Sequence, residues 1–297
     1  MDSVSRKVKI GASTIGEHCP IYTIAEIGIN HNGSLDNALN LIRNAKSAGF
    51  SAVKFQKRTV DQVYSEEELN QPRESIFGKT NGDLKRGLEF GKSEYKIIAS
   101  LCRELDIDWF ASPWDVQSVE FLEDFDVVAH KVASAKLTDK ELLEAIRATQ
   151  KPILLSTGMS DLRQVERAVE IIGTTRLILL HAVSIYPAKD EILNLSAIAT
   201  LKKVFPEVPV GYSGHEVGIL PSVIAVAKYG AVCVERHVTL DRSTWGSDQA
   251  ASLEQEGMVR LVRDINSIGK CEGDGQKTIL DVERPVMQKL RKVDNIF

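Results

Sequence analysis

The chain has 297 residues, 43% of them apolar and 26% charged, with a formal net charge of -4. That is enough apolar material for one large core or two small ones, and it carries no basic footprint for nucleic acid. The N-terminal stretch has no apolar leader core, and the four cysteines (Cys19, Cys102, Cys233, Cys271) show no paired metal spacing, so thiols in a reducing cytoplasm are expected.

In chain order, residues 7–20 read as a hairpin plugging one end of the domain, and residues 1–20 are taken as an N-terminal cap. Apolar strands are predicted at 22–27, 52–56, 108–111, 127–132, 153–156, 177–181, 208–212 and 232–236. Amphipathic helices alternate with them near 35–48, 93–105, 116–123, 139–149, 161–172, 195–204, 219–228 and 252–267. Ser34, Thr138 and Ser160 stand at N-cap positions, and Gly49, Gly173 and Gly230 where helices should stop. The most membrane-like stretch, 217–234, is broken by Pro221, Lys228 and Gly230 and reads as helix, turn and strand. Eight strand–helix units at this length predict a (β/α)8 TIM barrel over residues 21–285, with 286–297 as a tail; an open doubly wound sheet is the competing arrangement.

One connection is long. Residues 57–92 are rich in Glu, Lys, Arg, Asn and Gly, and aromatic residues near Ile76–Gly78 and Leu88–Gly91 predict an ordered lid.

Barrel enzymes place their chemistry where strands end, and these strand ends are polar. They carry Glu26 and His31, Lys54 and Gln56, Ser112, Lys131 and Ser134, Ser156, His181, Ser184 and Tyr186, Ser213 and His215, then Glu235 and His237. Two lysines with serine hydroxyls around one cavity would receive an anion carrying phosphate and carboxylate. Each serine alone reads equally as a cap or turn residue, and each lysine as half of a salt bridge to Glu26 or Glu235. His215 and His237 each close a β-branched run, and Glu235 shares a strand face with His237. Two imidazoles beside carboxylates suit a divalent transition metal such as Mn2+, the plain alternative being two separately satisfied histidines. His31 and His181 could orient a ligand or hydrogen-bond a loop, the second being favoured for His181.

Seven runs occur in collinear order: Ala25–Gly33, Val53–Gln56, Leu155–Met159, Ser184–Pro187, Gly211–His215, Glu235–His237 and Gly246–Leu253. Together they resemble the sialic acid synthase family over nearly the whole chain. The resemblance implies a barrel that condenses phosphoenolpyruvate with an acylamino hexose such as N-acetylmannosamine, releasing phosphate. It implies a divalent metal, Mn2+ first with Mg2+ or Co2+ as alternatives, held by His215 and His237. It implies catalytic roles for Glu26, Lys54, Lys131, His215 and Glu235. It puts the enolpyruvate among Lys54, Ser112, Lys131, Ser134, Ser156 and Ser213, and the sugar near Gln56, Ser184, Tyr186 and Asp248. In the mechanism so implied, the metal polarises the sugar aldehyde, the enol carbon attacks it, and water directed by Glu26 or by the metal adds at C2 before phosphate leaves. Homodimers are also implied, with neither nucleic acid nor membrane as partner.

Two departures stand out. Many family members continue into a small antifreeze-like domain, whereas this chain stops at Phe297. Ser134-Ala-Lys136 replaces the Ser-Gly-acid pattern expected of typical members, which opens the acceptor to another nonulosonic acid precursor or to one bearing phosphate or carboxylate. The rival readings are an octulosonate- or heptulosonate-phosphate type of synthase, a Schiff-base aldolase on Lys54 or Lys131, and a sugar-acid-binding barrel without turnover.

Overall fold

The computed structural model describes residues 7–291. Its strands are β1 (Lys7–Ile10), β2 (Ser13–Gly16), β3 (Tyr22–Gly28), β4 (Ala52–Lys57), β5 (Pro72–Ser75), β6 (Gly78–Thr80), β7 (Asp108–Pro113), β8 (His130–Val132), β9 (Ile153–Ser156), β10 (Leu177–Ala182), β11 (Val210–Gly214) and β12 (Cys233–His237). Its helices are α1 (Leu35–Ala48), α2 (Val60–Val63), α3 (Glu66–Leu69), α4 (Asn81–Gly87), α5 (Lys92–Glu104), α6 (Val116–Glu123), α7 (Lys140–Ala148), α8 (Leu162–Ile172), α9 (Ala197–Val204), α10 (Leu220–Ala227), α11 (Gln255–Glu272) and α12 (Arg284–Leu290).

Eight strands close a parallel barrel in the order β3, β4, β7, β8, β9, β10, β11, β12 and back to β3. Pairing of Cys233 with Tyr22 through to His237 with Glu26 seals the ring, which decides for the barrel over the open sheet. Buried on both faces, these strands read as continuous apolar runs rather than alternating ones. The helices pack outside, α1 against α5 and α11, α7 against α8, and α10 against α11.

The antiparallel hairpin β1–β2 buries Val8, Ile10 and Ile15 in the common core. Its turn residue Gly11 lies against Asp108, the first residue of β7, whose carboxylate also accepts from the Tyr22 hydroxyl at 2.8 Å. The hairpin therefore closes the barrel at the ends where strands begin, opposite the functional end. Residues 1–6 of the expected cap lie outside the described residues. So do residues 292–297 of the expected tail, whose earlier part is helical in α12. No helix among the described residues is long and apolar enough to cross a membrane.

Several boundaries differ from expectation for identifiable reasons. Ser34 caps α1 by accepting from the Asn37 amide, and Gly49 ends it in the left-handed region. The caps of α7 and α8 are Asp139 and Asp161, one residue after Thr138 and Ser160, each accepting from the amide three residues on. β11 begins at Val210 rather than 208, since Pro209 has no N–H to donate to the ladder. β8 is only three residues long, its approach from Val127 being buried but unpaired.

Residues 57–92 are ordered as α2, α3, the β5–β6 hairpin and α4, but they do not form a lid: none of them lines the strand-end cavity. Phe77 packs against Gly87 and Gly33 and meets Trp245 edge to face at 6.1 Å. The excursion braces the side of the barrel mouth instead of covering it.

Candidate active site

The C-terminal ends of the strands surround a cavity of about 280 Å3. Glu26, Lys54, Gln56, Ser112, Lys131, Ser156, Ser213, Glu235 and His237 reach it from the strands themselves. Ser134, Ser184, Tyr186 and His215 reach it from the segments beyond the strand ends. Thirteen of the fourteen expected site residues thus share one lining; Asp248 does not. Trp114, Ala133, Ala135 and Met159 also line it and were not anticipated.

At the floor, two lysines and two glutamates alternate. Lys54 Nζ lies 2.6 Å from Glu26 Oε2, donates to Ser112 Oγ at 3.0 Å, and stands 3.8 Å from Glu235 Oε1. Lys131 Nζ donates to the same Glu235 oxygen at 3.0 Å, and Ser213 Oγ does so at 3.2 Å. All four charged side chains are at most 4% exposed. The salt-bridge reading of the lysines therefore holds, and the cavity they line leaves them in place to meet an anion.

The two carboxylates are pushed apart. Burial raises Glu26 above the ordinary carboxylate range; Lys54 opposes this, and the neighbouring Glu235 adds to it. Burial would raise Glu235 too, but Lys131 and Lys54 outweigh it and hold that carboxyl below the ordinary range. Such separation is expected where one group exchanges protons and the other stays charged. Desolvation lowers Lys131 as well, despite Glu235.

The backbone is shaped around this floor. β3 slips register against β4 between Glu26 and Gly28, a bulge that re-aims the Glu26 side chain. Gly28 has φ +54, and a Cβ there would fall 3.0 Å from Gln56 Nε2 and 3.1 Å from Glu26 Oε1. That is the gap in which Gln56 Nε2 donates to Glu26 Oε1 at 2.9 Å. On the far wall, Ser134 Oγ accepts from the Gly158 amide at 3.2 Å, while Ser156 Oγ and Ser184 Oγ are buried without a hydrogen bond.

The two imidazoles of the expected metal pair face each other with ring centroids 5.5 Å apart, and Tyr186 packs on both, at 4.1 Å from His215 and 5.6 Å from His237. His215 Nδ1 hydrogen-bonds the Val183 carbonyl at 2.6 Å, which makes Nδ1 the donor and leaves Nε2 with its lone pair. Burial, with His237 next, lowers His215 to about 4, and burial lowers His237, so both rings are neutral near pH 7. His237 Nδ1 is buried without a hydrogen bond, its nearest carboxylate being Asp248 Oδ2 at 3.7 Å. Neutral imidazoles with an uncommitted buried nitrogen fit a divalent ion. Among the described residues no group of three or more His, Cys, Asp or Glu would hold one alone, so other ligands must complete the shell.

Some expectations are corrected. Lys136 turns onto Asp139 at 3.1 Å and does not line the cavity, so it gives no basis for an acidic acceptor. Asp248 is the one expected residue outside the lining, but it stays beside it: its Oδ2 lies 3.7 Å from His237 Nδ1, and, after burial, its charge helps raise the Tyr186 hydroxyl. His181 bonds the Leu193 carbonyl, as favoured. His31 accepts from the Gly33 amide and stacks on Phe90 at 4.1 Å, a structural role. Trp114 could have been found only by extending strand-end reasoning two residues past Ser112; Met159 carries no sequence signal of its kind.

The chain matches the NeuB family over residues 41–277. It is 38% identical over 281 residues to the N-acetylneuraminate-9-phosphate synthase of Mus musculus, covering 93% of this chain and 78% of that protein. It is 33% identical over 298 residues to the N,N'-diacetyllegionaminic acid synthase of Legionella pneumophila, covering 97% and 83%. A crystal structure of the N-acetylneuraminic acid (sialic acid) synthetase of Leptospira borgpetersenii in complex with citrate superposes with a TM-score of 0.83 at 32% identity, covering 99% of this chain and 100% of that one. With four-fifths of its length matched by the family, and with relatives of this similarity aligning over more than nine-tenths of it, the chain belongs to the NeuB family.

Proposed function

We propose that this protein condenses phosphoenolpyruvate with an unphosphorylated acylamino hexose of the N-acetylmannosamine type, giving a nonulosonic acid and phosphate. The observation that carries the reading is the floor of two buried lysines interleaved with two carboxylates and flanked by serines. Lys54 and Lys131 neutralise the phosphate and carboxylate of the enol ester, and Ser112, Ser134, Ser156 and Ser213 supply directional hydrogen bonds. Ser156, lacking a partner of its own, has the most to offer. Gln56, Ser184 and Tyr186 border the space left for the sugar. Lys54 and Lys131 are the lysines of the lining, and no arginine joins them among the described residues; both are engaged at the floor, which favours an acceptor without its own phosphate.

C3 of the enol forms a bond to the aldehyde carbon of the open-chain sugar, whose oxygen takes up a proton and becomes a hydroxyl. Positive character at C2 is met by water, whose proton passes to the Glu26 carboxylate. The tetrahedral carbon then breaks its bond to the phosphate oxygen while its new hydroxyl gives up its proton to the departing phosphate, leaving the ketone and inorganic phosphate. His215 and His237 would hold the divalent ion, Mn2+ by preference, whose Lewis acidity polarises the aldehyde when bound.

Phosphate release from phosphoenolpyruvate, measured with N-acetylmannosamine, its 6-phosphate and a panel of other aldoses, tests the reading. Release with the free amino sugar, abolished by chelation and restored by Mn2+, is expected, together with a loss of about 10^2-fold or more in His215→Ala and in His237→Ala. Release with the phosphorylated sugar alone would move the assignment to that acceptor. Turnover indifferent to chelator would remove the metal.

The pH profile gives a second check. Glu26 must be ionised to accept the proton, and its carboxyl titrates above the ordinary range, so kcat should fall as pH drops through a value higher than about 4.3. Glu26→Gln should lose most activity and with it that acid limb. A limb unchanged in the variant would free Glu26 of the role.

Gly158→Ala offers a third. Its new Cβ would lie 2.4 Å from Ser184 Oγ and 2.8 Å from Ser134 Oγ, and a serine has one short torsion with which to yield. Substrate KM should rise about tenfold while stability changes by about 1–3 kcal/mol. Unaltered KM would mean that neither hydroxyl touches a substrate.

A further inference from the structure

Arg58 does not line the cavity, yet it is buried and tied to it through one amide. Its guanidinium donates from Nη2 to Gln56 Oε1, and Gln56 Nε2 donates on to Glu26 Oε1 at 2.9 Å. The guanidinium has two further contacts, and the backbone amide of the same residue a third. Trp114 lies under it at 4.2 Å, Glu89 Oε1 stands 3.4 Å from Nη1, and Glu89 Oε2 accepts from the Arg58 backbone amide at 3.1 Å. Glu89 closes the long excursion between β4 and α5, and Lys57 holds the same carboxylate at 3.2 Å.

We propose that Arg58 is a positioning residue of the active site: by holding the Gln56 oxygen it forces the amide to present only N–H groups to Glu26 and to the substrate space. The reasoning is one of donors and acceptors. A carboxamide can turn over with almost no change of shape, and its two ends differ only in what they can bond. An arginine has donors and no acceptor, so it accepts only the oxygen end. An ionised carboxylate has acceptors and no donor, so it accepts only the nitrogen end. With both neighbours present a single orientation satisfies all three groups. Without Arg58 the oxygen end is free, and a flipped amide would set two acceptors against each other at Glu26. The fixed amide also commits Glu26 Oε1 as an acceptor, which leaves Oε2 to Lys54. Gln56 has a second N–H, so the substrate atom it meets must be an acceptor, a hydroxyl or carbonyl oxygen. The excursion thereby acquires a purpose, since its closing glutamate steadies the arginine that orients the amide.

This inference rests on the roles given above to Glu26 and Gln56, and its test separates the two. Arg58→Met, Arg58→Lys, Gln56→Met and the double variant Gln56→Met with Arg58→Met are assayed by phosphate release and checked for fold by circular dichroism. Arg58→Met should lower kcat about ten- to hundredfold and raise the KM of the sugar, with the KM of phosphoenolpyruvate within about twofold. Arg58→Lys keeps the charge but not the planar fork, so it should fold like the parent and lose activity in the same direction. In the Gln56→Met background the change at 58 should cost less than about twofold, because the group through which it acts is gone. Full additivity of the two losses, or a parental kcat in Arg58→Met, would overturn the proposal while leaving the synthase reading intact. Should no sugar support turnover, the synthase reading fails, and the side-chain amide protons of Gln56 in 15N-labelled protein still decide the positioning claim. They should exchange slowly in the parent and rapidly in Arg58→Met; equal exchange would refute it.

Discussion

Lys131→Met is expected to lower kcat/KM for phosphoenolpyruvate by about 10–10^2-fold, with a stability change whose sign depends on pH. The catalytic loss comes from removing a buried cation that would donate to the substrate; charged hydrogen bonds contribute about 1.5–3 kcal/mol each, and 1.36 kcal/mol is a factor of ten. The stability effect originates at Glu235. In the parent its carboxyl is held below the ordinary range, so its contribution is present above about pH 4.3 and is lost as pH falls through the lowered value. Remove Lys131 and Glu235 keeps only Lys54 at 3.8 Å and Ser213 at 3.2 Å, with burial now unopposed by its nearest charge. Its carboxyl should then titrate above about 4.3, so stability falls as pH rises through the new value. Thermal midpoints of parent and variant between pH 4 and 8 should therefore diverge toward the alkaline side. Parallel curves would show that Lys131 does not set the charge of Glu235.

Arg236→Met should cost more stability than any change at the cavity and less activity. Arg236 lies between Glu235 and His237 on β12, so the alternation of the strand turns it outward, beneath α10. It is fully buried, bonded through Nη1 to Glu216 Oε1 at 2.9 Å, the Gly218 carbonyl at 2.6 Å and Ser222 Oγ at 3.1 Å, and through Nη2 to the Glu216 carbonyl at 2.6 Å. Glu216 is equally buried and accepts from the Tyr212 hydroxyl at 2.8 Å. Methionine fills the volume but strands a carboxylate and a carbonyl away from water, which costs about 3–5 kcal/mol. For a domain of this size the midpoint should fall by about 10 °C. Adding Glu216→Gln should recover part of that loss, since the remaining group is neutral. Below the unfolding transition kcat should stay within about threefold of the parent, because neither side chain touches the cavity. A midpoint lowered by less than about 3 °C would show that the pair is not a structural anchor.

What the sequence discloses here depends on period. β12 is the clearest case: Glu235, Arg236 and His237 alternate by the geometry of any strand, so two site residues and one structural anchor could be separated on paper. The eight strand–helix units were legible for the same reason. Closure was not, because it rests on β12 meeting β3 across some two hundred residues, and strand count says nothing of that. Loops obey no period. Lys136 had the charge to matter and turned to Asp139 three residues on; Asp248 comes within 3.7 Å of His237 from a loop whose path no periodicity records. Arg58 stayed hidden because its effect passes through a neutral amide, and a sequence does not record which end of a carboxamide faces where.

The β1–β2 hairpin has a consequence for traffic. With Ile10 and Ile15 wedged into one end of the barrel, the cavity of the described residues opens at the other end, where Tyr186 and Met159 stand partly in solvent while the lysines sit far inside. A molecule parked at that threshold would then hinder the passage of both reactants, however well the chemical machinery behind it is made.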